Sequence, residues 1–123
     1  MLNLTQHTAT IGQGIVWEPA RKEEVKALLT FHELPDPEDV EHRALCLADL
    51  AAKELMNEAA RGEAVSVAVM IGGAPYLMAP LERALRSTGL VPYYAFTERV
   101  VTESEDGTKT SHFQHKGWVE ATT

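Results

Sequence analysis

Cysteine occurs once in these 123 residues, at position 46, which excludes an internal disulfide framework and leaves the fold to be held by its core. That thiol lies in a helical segment among Leu45, Leu47 and Leu50, where it reads as a small buried hydrophobe with nothing nearby to activate it. No apolar stretch reaches the ~18 residues of a membrane span. The opening residues 1–7 lack the basic and apolar regions of a secretion signal. A cytoplasmic protein is expected, in which the glycosylation sequon Asn3-Leu4-Thr5 is incidental. Basic residues are scarce: Lys and Arg number 11 against 18 Asp and Glu, for a net charge of -7. Such a surface disfavours long nucleic acid, whose binding comes mainly from Lys and Arg on phosphates. It still admits a small nucleotide held by backbone amides and a few placed cations.

Several catalytic patterns are missing as well. There is no G-x-G-x-x-G, no G-x-x-x-x-G-K-[ST] and no G-x-S-x-G elbow. No carboxylate pair stands out for glycoside chemistry. His, Cys and carboxylates do not cluster at ligand spacing, so no metal site and no cofactor are expected. His112 and His115, three positions apart on the last predicted strand, project to opposite faces. Metal-free chemistry on a phosphodiester is therefore favoured over metal-dependent hydrolysis. Repeats, low-complexity tracts and linkers are absent too, and residues 1–123 read as a single domain.

What is present is a strand–glycine–helix junction. Residues 65–71 form a continuous apolar run rich in β-branched side chains, as in a strand buried on both faces of a parallel sheet. Gly72 and Gly73 allow a sharp turn and close approach of a ligand. The helix over 76–87, ended by Gly89, points its free N–H groups and positive dipole end at the same spot, an arrangement suited to phosphate. Pro80 is expected in its first turn, or as a kink at its start. Residues 90–96 form a second buried strand, which completes a βαβ unit with a right-handed crossover.

The rest of the chain builds around that unit. Residues 1–4 form a short strand opening into Thr5, Gln6 and His7, and residues 8–17, with Gly12 and Gly14, form a loop. Residues 19–29 are helical, with Val25, Leu28 and Leu29 as the apolar stripe. Residues 30–34 are a short strand or an extended connection. Asp36-Pro37-Glu38-Asp39 starts a helix that runs to about Arg61 and stops at Gly62. Residues 98–102 and 110–119 flank the hairpin turn Asp106-Gly107. The whole is expected to be α/β, a small three-layer sandwich with a mixed, mainly parallel sheet and a C-terminal β-hairpin.

Ligands of such sheets gather beyond the carboxyl ends of the parallel strands. That brings Thr5, Gln6 and His7 to one rim with Gly72, Gly73, Ala74 and Tyr76, and with Thr97 and Arg99. His7 is the candidate acid or base, since imidazole titrates near neutrality; otherwise it fixes its loop by bonding nearby backbone. Arg99 is either a phosphate clamp or an exposed partner of Glu98 and Glu103. Tyr76, Tyr93 and Tyr94 could stack on a base, but Tyr93 and Tyr94 point to opposite faces.

Gly72-Gly73-Ala74-Pro75-Tyr76-Leu77-Met78, residues 90–99 from Leu90 to Arg99, and His112-Phe113-Gln114-His115 resemble the compact CARF-type (CRISPR-associated Rossmann-like) ring nucleases. Asn3-Leu4-Thr5-Gln6-His7 resembles the opening of uncharacterised bacterial and mobile-element proteins. The resemblance implies a Rossmann-like fold and a homodimer that binds a cyclic oligoadenylate across its two-fold axis. It further implies metal-independent cleavage by a ribose 2′-hydroxyl on the neighbouring phosphodiester. Gly73, Ala74 and Tyr76 match its phosphate-facing turn, and Thr97 with Arg99 match its strand-end polar pair. His7 is a candidate outside that pattern, and residues 36–62 have no counterpart in it. Two other functions fit the sequence: a sensor or sponge that binds such a ligand without turnover, and a structural or interaction protein that uses the helix over 37–61 as its partner surface.

Overall fold

The two apolar segments flanking the diglycine helix become neighbouring parallel strands. The structure is a computed structural model that describes residues 1–9, 16–62 and 66–121. Strands β1 (Leu2–Leu4), β2 (Ala68–Ile71), β3 (Val91–Glu103) and β4 (Lys109–Glu120) form one sheet in that order. The first three are parallel, and β4 runs antiparallel to β3. Helices α1 (Lys22–Leu29) and α2 (Pro37–Ala60) connect β1 to β2, and α3 (Pro75–Ser87) connects β2 to β3. The expected α/β class, with a mixed, mainly parallel sheet and a closing hairpin, is what the structure has.

Strand register explains where the core sits. Leu2 faces Val69 and Leu4 faces Ile71 across β1 and β2, and Ile71 faces Tyr94 on β3. These side chains share one sheet face. Every buried apolar side chain of the three helices belongs to a single cluster with Leu2, Leu4, Val69 and Ile71. Helix α2 contributes Val40, Ala44, Leu47, Ala51 and Leu55 at spacings of three and four, while Leu45 and Met56 on its other side are exposed. Leu77, Leu81 and Leu85 of α3 are fully buried, each stabilising by about 1.5–3 kcal/mol. On the opposite face Asn3 and Met70 are also buried.

Helix starts follow local chemistry. The Asp36 carboxylate accepts the Asp39 N–H at 2.8 Å, and Pro37 occupies the first turn. Helix α1 starts at Lys22, later than the expected residue 19. The intervening turn is held by the buried Glu54 of α2, which accepts the Ala20 N–H at 2.5 Å. Residues 30–34 contain no strand. They cross to α2 with the Thr30 carbonyl accepting from Arg43 Nη1 at 2.5 Å and the Arg43 guanidinium 4.2 Å from the Phe31 ring centroid.

Other boundaries moved too. Strand β2 starts at Ala68, later than expected, with Ser66 and Val67 outside it; the expected start at Val65 lies outside the described residues, as do Gly12 and Gly14 of the first loop. Pro75 takes the first-turn position of α3, which places Pro80 inside the helix. The two strands expected over 90–96 and 98–102 are one continuous strand, β3. No turn residue separates Phe96 from Glu98. The polar residues there face water on a hairpin that projects past the sheet, where no buried face imposes alternation. The hairpin closes with Gly107 at φ 85° donating its N–H to the Ser104 carbonyl at 3.0 Å. Among the described residues, no helix is long and apolar enough to cross a membrane.

Candidate functional site

Beyond the carboxyl ends of β1 and β2 the chain leaves a cleft of about 340 Å³. Thr5, Gln6, His7 and Thr8 line one side, Gly72 and Gly73 the other, with Met70, Ile71, Tyr94 and Ala95 beneath. The two loops face each other because β1 pairs directly with β2.

Asn3 builds the loop after β1. It is fully buried in a three-residue strand between two fully buried leucines. Its side-chain oxygen accepts the Thr5 N–H (3.0 Å) and hydroxyl (2.7 Å), and its amide donates to the His7 carbonyl at 2.7 Å. The same amide reaches both carboxylate oxygens of Glu18 at 3.0 Å. Glu18 in turn accepts the Ala9 N–H at 2.8 Å and pairs with Lys22 Nζ at 3.3 Å. Burial pushes the Glu18 carboxyl up, but hydrogen bonds from Ala9, Asn3 and Lys22 outweigh it and hold the group below its ordinary range. One buried amide thus fixes the backbone of residues 5–9.

The opposite wall depends on glycine. Gly73 has φ 145°, a conformation that side chains rarely adopt. A Cβ on Gly72 would sit 3.7 Å from Thr5 Cγ2, across the gap between the two loops. Bulk at position 72 therefore narrows the cleft.

The structure divides the sequence candidates. Thr5, Gln6, His7, Gly72 and Gly73 converge. The Gln6 amide is engaged with the Leu29 carbonyl and the Thr30 hydroxyl, both at 3.2 Å, and ties the loop to the end of α1. His7 is exposed at the cleft, and among the described residues no hydrogen bond orients its imidazole. Ala74 caps α3 and packs on the core. Tyr76 turns away, its ring 5.1 Å from Phe31 in an edge contact, and lines a separate cleft with Leu34 and Pro80. Thr97 and Arg99 lie mid-strand on the projecting hairpin. Arg99 stands four residues past Ala95, about 13 Å farther along at ~3.3 Å per residue, with its guanidinium 3.4 Å from the Ser111 hydroxyl. Within one protomer these two do not join the cleft.

Three contributors escaped the sequence reading. Asn3 and Glu18 are the first two, and a polar residue between two strand leucines was the available signal. Lys22 is the third: its ammonium donates to the Thr8 hydroxyl at 2.8 Å, which brings a cation to the rim. Tyr94, not Tyr93, is the tyrosine that lines the floor. Its hydroxyl donates to Glu82 at 3.2 Å. Burial and the neighbouring Glu82 carboxylate push its pKa up to about 12. Among the described residues, no group of three or more His, Cys, Asp or Glu gathers to hold a metal ion. Cys46 is half-buried on α2, its Sγ 3.6 Å from His42 Nε2 and away from the cleft.

The arrangement offers an open cleft walled on one side by the backbone of Gly72 and Gly73, with hydroxyls, an imidazole and one ammonium at its rim. One family model matches the chain over residues 1–119, that of the Uncharacterized protein MJ1673 family. Comparison with curated proteins and with solved structures gives no match.

Proposed function

The chain belongs to the Uncharacterized protein MJ1673 family, and from its cleft we propose that it binds a small phosphate-bearing nucleotide over the carboxyl ends of its parallel strands. The observation that carries this reading is the convergence of residues 5–8 with Gly72 and Gly73 in one cleft ahead of α3. Backbone N–H groups at a glycine turn before a helix suit phosphate oxygens, and Lys22 adds a positive charge held at the rim through Thr8. A volume of about 340 Å³ is at the small end of ligand pockets. It holds about one nucleotide unit, and a larger ring extends beyond it.

The ligand class is a cyclic oligoadenylate, the class to which the likeness of residues 72–78 and 90–99 to CARF-type ring nucleases points, and the protein acts in the cytoplasm. Turnover needs only the ligand, the rim and solvent water. The ribose 2′-oxygen attacks the adjacent phosphorus, the bond to the 5′-oxygen breaks, and a 2′,3′-cyclic phosphate remains. His7 takes the 2′-hydroxyl proton, and water protonates the departing 5′-oxygen. A second reading, capture without cleavage, is favoured by one feature: among the described residues no hydrogen bond orients the His7 imidazole.

Incubation of the pure protein with cyclic oligoadenylates in EDTA, with binding and products followed separately, tests both. Saturable binding with a linear product, and His7→Ala retaining binding while losing turnover, is expected. Binding without product leaves the capture reading. Unchanged ligand with no saturable binding disposes of both.

A further inference from the structure

We propose that the outer edge of β4 is an interface between two copies of this chain, paired antiparallel about a two-fold axis at Gln114. The inference goes beyond the ligand reading and does not depend on it. Strand β4 is the last in the sheet, 12 residues long, and among the described residues no backbone group pairs with its outer side. Its hairpin projects past the core with residues 95–99 and 109–114 exposed on both faces, Phe113 at 74%. A two-stranded ribbon is marginal in water, and a long bare edge is a template for another strand.

The sequence of β4 is complementary to its own reverse. Lys109, Ser111, Phe113, His115, Trp118 and Glu120 stand opposite Glu103, Val101, Arg99, Thr97, Ala95 and Tyr93. Those β3 residues alternate, so the six β4 residues share one face, and the irregularity between Phe96 and Thr97 accommodates Lys116. A two-fold perpendicular to the sheet keeps that face on one side and sets the series against its reverse. Lys109 then meets the partner's Glu120, an opposite-charge pair at each end of the interface. Trp118, whose buried indole N–H has no acceptor among the described residues, meets the partner's Ser111. Phe113 meets the partner's His115, which already packs on Trp118 with ring centroids 4.4 Å apart. On the other face Thr110 meets the partner's Val119, and Gln114 lies on the axis. No like charges oppose each other in this register.

Sedimentation velocity of the full chain, with K109E, E120K and their equimolar mixture, tests the pairing. Wild type is expected as a dimer. Each reversal replaces two ion pairs with two like-charge contacts and weakens the dimer roughly tenfold. Mixing the two variants returns wild-type strength, because the mixed dimer again has opposite charges at both ends. A monomeric wild type overturns the proposal. So does a dimer that neither reversal weakens, or one that mixing does not restore.

Discussion

Asn3 organises the site through five hydrogen-bond contacts from a fully buried position. Asn3→Ala strips Thr5, His7 and Glu18 of their buried partner, and a stability loss of about 2–4 kcal/mol is expected in denaturant titrations, with ligand binding lost as well. Two titrations follow from its surroundings. The folded-state pKa of Glu18 is depressed, so its contribution is present above the ordinary glutamate value and lost as pH falls through the folded one. Melting temperature is expected to fall in acid less steeply for Glu18→Gln than for wild type. Tyr94 is raised to about 12, so its contribution is complete below pH 10 and lost as pH rises towards 12. Tyr94→Phe removes that alkaline loss, and a spectroscopic titration is expected to show one fewer tyrosine ionising late.

Helix α3 carries the largest fully buried run, with Leu77, Leu81 and Leu85 against the sheet. Leu81→Ala is expected to cost about 2–5 kcal/mol, measured by chemical unfolding. Much at this scale was legible in the sequence. The Asp36 cap, the Gly62 and Gly89 stops and the parallel pair flanking Gly72 and Gly73 each rest on local chemistry that nothing overrides. Strand β1 was legible from the short apolar start of Met1, Leu2 and Leu4, although the role of Asn3 between the two leucines was not. The extent of β3 was not, since both faces of the hairpin are in water and alternation carries no information there. That one boundary decided the site, because a strand ending at Phe96 puts Thr97 and Arg99 at the rim, whereas the continuous strand carries them past it. Tyr76 escaped for another reason: its orientation is set by Phe31, 45 positions earlier, through a ring contact that spacing does not encode.

Across the whole molecule, a net charge of -7 surrounds a cleft beside which Lys22, held through Thr8, is already paired with Glu18. Affinity for a phosphate ligand is therefore expected to come mainly from backbone donors and to fall only modestly with salt. Gly72→Val places bulk beside Thr5 and is expected to abolish binding while leaving the melting temperature within a few degrees, as read by calorimetry. The most direct measurement is amide chemical-shift mapping of the labelled protein during titration with a cyclic oligoadenylate. Perturbations concentrated in residues 5–8, 72–74 and 94–95 are expected. Shifts confined to other surfaces, or none at saturating ligand, would contradict a nucleotide site at the carboxyl ends of the parallel strands.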